Sequence, residues 1–279
     1  MDTKTKSPAI AFSDSLSQHY DDCLGPMFFE PYAIEVAKRI DPASIHVALE
    51  LACGTGRVTR HLRNAIPGNA KLIASDISSD MMAVAKEKLS SANIDWQIIN
   101  AEELPYDDNS INLVVCCFGY MFVPGKVKAY NEVHRVLRPG GMLLMTTWDK
   151  LEHNGASYVY RMIVEKYLTE PLPETCNLAV SMNDDEEIKK DLQQAGFSKI
   201  IIERVNKISE SRSAKEAVEA LTEGGSAYSE IMKRNPALIN EIKETLEKEL
   251  SEKFGASPMK APISALITHA WKDLTIQQS

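Results

Sequence analysis

Between residues 45 and 148 short apolar runs alternate with amphipathic stretches. This alternation constrains the chain more than any other feature, because it builds a parallel sheet with helices on both faces. "SIHVALEL", "AKLIASD", "IDWQIIN", "INLVVCCFGY" and "MLLMTTW" read as successive strands. The fourth is apolar enough to lie at the sheet centre with both faces covered. A helix from about Arg57 to Ala65 stops near Pro67-Gly68, and another opens at "SSDMMAVAKEKL". There a serine can accept from the open amides of the first turn, and Asp80 suits the positive helix end. Val127, Tyr130, Val133 and Leu137 recur at helical spacing, and "RPGG" is expected to end that helix before the fifth strand.

Beyond residue 148 the pattern changes. "SYVYRMIVEKYL" reads as a helix and "TEPLPETCN" as a loop. A further helix takes Asn183 as cap, Ile188, Leu192 and Ala195 as its apolar face and Gly196 as its stop. "FSKIIIERV" and "ISALITHAW" read as the last two strands. The residues between them, about 211–252, read as helical, with Ser213 and Glu216 at capping-box spacing and Ile239, Ile242, Leu246 and Leu250 lining a helix begun by Asn235-Pro236. An insert there cannot extend the sheet and is expected to cover its ligand edge as a lid.

Composition narrows the partners. The net charge of -8 repels phosphate backbones and anionic lipid, so no nucleic-acid partner is expected. "MDTKTKSPAIAFSDS" lacks the apolar region of a signal peptide, and no apolar run approaches the ~20 residues of a membrane span, so a cytoplasmic protein without membrane contact is expected. The cysteines at 23, 53, 116, 117 and 176 form no Cys-x-x-Cys pair and read as small buried thiols; no metal is expected.

The turn "ALELACGTGRVT" joins the first strand to its helix. In an open α/β sheet that turn faces the ligand, and Gly54 and Gly56 permit close approach to bare backbone amides. Asp76 ends the second strand 20 residues after Gly56, where a carboxylate can accept from both hydroxyls of a ribose. Its alternative reading is a cap for the next helix. A dinucleotide fingerprint would need a glycine at residue 59, where this chain has Thr59, and Glu50 would oppose a diphosphate while favouring a cationic ligand.

A ligand with ribose, adenine and a cationic tail is S-adenosylmethionine. "ALELACGTGRVT", "ASDISSDMMAVAKEKL", "NAEELPYDDNSINLVVCCFGYMFV" and "EVHRVLRPGGMLLMTTW" together resemble the class I S-adenosylmethionine-dependent methyltransferases, most closely the branch containing the ubiquinone and menaquinone biosynthesis methyltransferases. The resemblance implies that the turn from Glu50 to Gly56 holds the methionine part, with the Ala52 carbonyl near its ammonium, and that Asp76 takes the ribose. Ile77 and Met81 would meet the adenine, Asn100, Ala101 and Glu102 its edge, and Cys117 and Phe118 would close the pocket. Tyr20 resembles an aromatic brought over the cofactor from the N-terminal segment. Asn100 stands where the family usually has Asp, so that contact loses charge assistance. Gly125 stands where members often carry an acid.

The expected fold is α/β and Rossmann-like, a doubly wound, mostly parallel seven-stranded sheet with an antiparallel last strand and a helical lid insertion. Residues 1–40 are expected to form a helical segment covering the cofactor site, and residues 41–279 the methyltransferase domain. The acceptor is expected to be a small, partly apolar molecule, with the protein a monomer or homodimer. His19, Tyr120, Trp148 and His153 are the leading acceptor-contacting residues; Tyr158 and Tyr160 lie on nearby segments. No base is assigned, and His46, His61, His134 and His269 read as structural. The competing readings are a nicotinamide-dependent oxidoreductase and a non-catalytic binding module.

Overall fold

The computed structural model describes residues 20–224 and 226–274. Seven strands, β1 (Val47–Leu51), β2 (Lys71–Asp76), β3 (Asp95–Ile98), β4 (Ile111–Cys117), β5 (Leu137–Trp148), β6 (Lys199–Ser211) and β7 (Met259–Trp271), form one sheet in the order β3-β2-β1-β4-β5-β7-β6. β1 pairs in parallel with β2 and β4, β2 with β3 and β4 with β5, while β7 runs antiparallel to both β5 and β6. The order reverses between β1 and β4, which opens a crevice at their carboxyl ends. Leu49, Leu113, Val114, Val115, Leu143 and Leu144 are fully buried there, as near-continuous apolar runs require.

Helices α1 (Glu30–Ala37), α2 (Arg57–Ala65), α3 (Ser79–Lys88), α4 (Lys126–Val136), α5 (Gly155–Tyr167) and α6 (Asp185–Gln194) cover the faces. A π-helical segment, Tyr20–Phe29, leads into α1. Ser78 caps α3 by accepting from Met81 N at 3.3 Å. The cap of α6 is Asp184, one residue after the expected Asn183: Asp184 Oδ1 accepts from Glu186 N and Glu187 N at 3.0 and 3.2 Å, while Asn183 Nδ2 donates backward to Val180 O. The extended backbone of Asp184 turns its short carboxylate onto those amides. "RPGG" likewise lies inside β5: α4 ends at Val136, and the pairing of β5 with β4 shifts register across this stretch. Gly140, at φ +79, makes the irregularity possible.

Between β6 and β7 run α7 (Ala214–Gly224), α8 (Ser226–Arg234) and α9 (Leu238–Phe254). Ser213 Oγ accepts from Glu216 N at 3.2 Å to start α7, and Ile242, Leu246 and Leu250 of α9 are fully buried. Both flanking strands exceed their expected lengths. β6 continues to Ser211 and β7 begins at Met259, because Pro262, which argues against a central strand, sits where β7 has only β6 as a neighbour. Among the described residues no helix is long and apolar enough to cross a membrane.

Candidate active site

The glycine turn is built from left-handed backbone. Ala52, Gly54 and Gly56 have φ of 54, 55 and 83°. A Cβ added to Gly54 would meet nothing within 4 Å, so this stretch of main chain borders open space, whereas one on Gly56 would lie 3.0 Å from Ala85 Cβ. Asp76 fixes the turn from the next strand: its Oδ2 accepts from Gly54 N and its Oδ1 from Ser78 N, both at 2.8 Å. The carboxylate thus serves turn and helix start together, and each oxygen retains a lone pair for a further donor. Burial raises its pKa, opposed by the amides of Ser78, Gly54 and Ile77.

Glu50 is 1% exposed, and its Oε2 has no hydrogen-bond partner among the described residues. Burial pushes its pKa up to about 8, the Thr59 hydroxyl opposing and the Asp76 charge adding to the rise. A buried carboxyl with an orphaned oxygen, beside a backbone cradle open to a ligand, suits a molecule carrying a positive charge. Thr59 itself is fully buried, so its side chain fills the space that the third glycine of a dinucleotide fingerprint would leave bare.

Around the crevice Ile77 is 64% exposed and Met81 buried. Asn100 Oδ1 accepts from Glu102 N at 3.0 Å, so one of its acceptor sites is committed to its own turn. Ala101 and Glu102 are half-buried beside it. A Cβ at Gly125 would lie 2.0 Å from Glu102 Oε1, the mobile end of a side chain that would have to shift. Half-buried Cys117 ends β4, its thiol pushed up to about 12 by burial with Thr146 opposing, and Phe118 follows at φ 56°.

Phe118 stacks on Trp148 at 4.1 Å between centroids and 21° between planes. Phe29 and Tyr32 pack edgewise or tilted against both rings at 5.4–5.8 Å. Phe28 joins Trp148 at 6.1 Å. An aromatic shelf thus spans the carboxyl ends of β4 and β5. The Tyr32 hydroxyl donates to Val205 O at 2.9 Å and ties α1 to β6. Sequence reasoning found Trp148 and missed Phe28, Phe29 and Tyr32, although the run "GPMFFEPY" carries the signal.

Tyr120 does not join the shelf. It is 1% exposed and packs on Tyr130 at 4.8 Å, because the short helical turn after β4 directs its ring into the core. Buried Tyr160 and half-buried Tyr158 lie on α5. His153 is half-exposed, with Nδ1 2.7 Å from Asp149 Oδ2. His19 and the Tyr20 side chain lie outside the described residues.

A charged network joins the N-terminal segment to the turn, and sequence reasoning did not anticipate it. Asp21 is 5% exposed. Thr55 Oγ1, between the two glycines, donates to its Oδ1 at 2.5 Å; Arg57 Nη2 donates to Oδ1 at 3.2 Å and to the Asp21 carbonyl at 2.8 Å; Lys88 pairs with Oδ2. Glu30 gathers Arg57, Arg60 and His61 at 2.8–2.9 Å. Burial would raise the Asp21 carboxyl, but the bonds from Lys88 and Thr55 and the charges of Arg57 and Lys88 hold it below the usual carboxylate range. No cluster of three or more His, Cys, Asp or Glu side chains suited to a metal occurs among the described residues.

A switch-point crevice with a glycine turn, a strand-end carboxylate and an orphaned buried acid defines a nucleoside-binding α/β enzyme of the methyltransferase type. The comparisons agree. A family model described as a methyltransferase domain matches residues 48–141. The ubiquinone/menaquinone biosynthesis C-methyltransferase UbiE of Hydrogenovibrio crunogenus is 30% identical over 207 residues, covering 67% of this chain and 80% of the relative. UbiE of Pseudoalteromonas translucida is 40% identical over 119 residues, spanning 41% of this chain and 47% of the relative. The Haemonchus contortus phosphoethanolamine N-methyltransferase 2, solved with S-adenosyl-L-methionine, shares the fold with a TM-score of 0.59 at 17% identity, covering 95% of this chain and 61% of that one. The chain belongs to the class I S-adenosylmethionine-dependent methyltransferases, near the UbiE branch, and the oxidoreductase reading is closed.

Proposed function

We propose that the enzyme transfers the methyl group of S-adenosylmethionine to a ring carbon of a small, partly apolar quinol. The acceptor assignment is supported by one observation, the apolar cluster of Phe118, Trp148, Phe29 and Tyr32 at the carboxyl ends of β4 and β5, whose half-buried members Phe29 and Trp148 suit a flat ring. The names of the UbiE relatives support it.

The residues present fit the cofactor. The amides of the Gly54–Gly56 turn and the Ala52 carbonyl would hold the methionine part, Glu50 would answer the ammonium, and Asp76 would accept from the ribose hydroxyls with its remaining lone pairs. Ile77 and Met81 would pack on the adenine, Asn100, Ala101 and Glu102 would line its edge, and Cys117 with Phe118 would close the pocket. The Tyr20–Phe29 segment would cover it. When bound, the cofactor supplies an activated methyl group on a sulfonium, open to in-line displacement. The protein then has chiefly to align acceptor and methyl, an effect worth as much as ~7–11 kcal/mol in well-oriented systems.

Calorimetry with S-adenosylhomocysteine tests the site, and radiolabelled methyl transfer to 1,4-dihydroxynaphthalene, kept reduced, tests the acceptor. The wild type is expected to bind and to label the ring. Asp76→Ala, which removes acceptors for two backbone amides as well as the ribose, is expected to weaken cofactor binding about 100-fold, from roughly 1.5–3 kcal/mol per charged hydrogen bond. Unchanged affinity in that variant would overturn the assignment.

A further inference from the structure

One cluster of titratable groups stands apart from the cofactor cradle. Asp149 follows Trp148 and is fully buried. Its Oδ2 accepts from Ser264 Oγ on β7 and from Arg204 Nε on β6, both at 2.8 Å, and its Oδ1 from Lys150 N at 2.8 Å. His153 Nδ1 lies 2.7 Å from the same Oδ2. Burial would raise the carboxyl, but bonds from His153, Lys150, Ser264 and Arg204 outweigh it and hold Asp149 at about 2. At neutral pH it is ionised, and an ionised carboxylate can only accept. Nδ1 must therefore carry the imidazole proton, which leaves the lone pair of the neutral ring on Nε2. That atom has no hydrogen-bond partner among the described residues, and the side chain is 49% exposed.

Position completes the case. Trp148, next to Asp149 in the chain, forms the aromatic shelf, and Tyr32 touches Trp148 at 5.6 Å while its phenol is raised by burial and then by the Asp149 charge. The basic nitrogen is thus carried by the turn that leaves β5 directly after Trp148. His153 shares the Asp149 carboxylate with Ser264, Arg204 and the Lys150 amide, so the pair also fixes the turn after β5 and with it the direction of the ring. The other charged or titratable groups around the pair are Arg204 from β6, the Tyr32 phenol from α1, and Lys150 and Glu152 in the same turn; Arg204 balances the Asp149 charge.

We propose that His153, oriented by Asp149, is the base that takes the hydroxyl proton of the acceptor during methylation of the adjacent ring carbon. The inference rests on the quinol reading above. The O–H bond breaks, the proton moves to His153 Nε2, and the electron pair stays on oxygen and feeds the ring. The ring carbon bonds to the methyl carbon as the carbon–sulfur bond breaks, its pair going to sulfur. The hydrogen on that ring carbon then leaves to water as a proton, and the imidazolium returns its own proton to the oxygen.

The test compares wild type with His153→Gln in two assays. One is labelled methyl transfer to 1,4-dihydroxynaphthalene across pH. The other is the visible absorbance of 4-nitrocatechol, which reports ring-hydroxyl ionisation, on protein saturated with S-adenosylhomocysteine. His153→Gln is expected to bind S-adenosylhomocysteine within about twofold of wild type, a difference under ~0.5 kcal/mol. Its kcat should fall about 100-fold or more with KM for the quinol nearly unchanged, the range of general base catalysis. The acid limb of the kcat profile should vanish, and bound nitrocatechol should ionise in wild type but not in the variant. A variant that keeps kcat, its acid limb or nitrocatechol ionisation overturns the proposal, as does a wild type that binds S-adenosylhomocysteine yet neither methylates the quinol nor ionises nitrocatechol. Failure of the wild type to bind S-adenosylhomocysteine would instead sink the cofactor site, and this proposal with it.

Discussion

Replacing Asp21 asks whether the N-terminal segment is held to the glycine turn by charge. Asp21→Ala strips Thr55 of its acceptor and Lys88 and Arg57 of a shared, buried counter-ion. Breaking a buried pair costs ~3–5 kcal/mol. Lys88, 37% exposed, can return to water, and Arg57 keeps Glu30 at 2.9 Å, so the low end applies. A loss of about 3 kcal/mol lowers Tm by about 6 °C in a chain of this size. Thr55 stands between Gly54 and Gly56, so loosening it should also weaken S-adenosylhomocysteine binding about tenfold, or ~1.4 kcal/mol. Asp21→Asn keeps an oxygen for Thr55 and removes the charge, so it should fall between wild type and Asp21→Ala in both respects. Differential scanning fluorimetry and calorimetry measure the two effects. If Asp21→Ala melts and binds like wild type, the network contributes nothing and the reasoning is refuted.

Two further substitutions separate binding from folding within the turn. Gly54→Ala places its Cβ in open space at φ +55, so it should cost only the ~1–2 kcal/mol of a left-handed alanine while impairing cofactor binding. Gly56→Ala adds contacts of 3.0 and 3.1 Å with Ala85 and Leu89 to the same strain and should melt lower than Gly54→Ala; the reverse order would contradict the geometry. Glu50 gives a pH signature. Its folded pKa of about 8 lies above the ordinary 4.5, so its contribution to stability is full below 4.5 and is lost as pH rises toward 8. Glu50→Gln should flatten that decline in cofactor-free protein and raise Tm at the alkaline end, as melts across pH will show.

Local pattern made the glycine turn and the carboxylate that braces it legible. Gly54, Gly56 and Asp76 lie within one β-α-β unit, where turn chemistry and strand ends are fixed by neighbours in sequence. The aromatic cluster was not legible in the same way. Phe29, Tyr32 and Trp148 meet only because the end of the Tyr20–Phe29 segment and α1 cross to β5 and β6, and such contacts leave no period in the chain. Asp149 and His153 are four residues apart, but their significance depends on Arg204 and Ser264 from distant strands. Tyr120 misled for the opposite reason, since proximity to the strand end says nothing about which way a ring turns.

The paired ribbon of β6 and β7 outruns the rest of the sheet. β5 accompanies β7 only as far as Trp148 opposite Ala265, yet the ladder with β6 continues to Ser211 opposite Met259. On that overhang Met259, Ala261 and Ile263 are buried, while Lys260 and Pro262 are exposed. A point substitution on the inward set therefore alters one patch of the core, but a single inserted residue would turn every inward side chain beyond it to solvent. A change of length in this ribbon would thus cost far more than a change of one side chain.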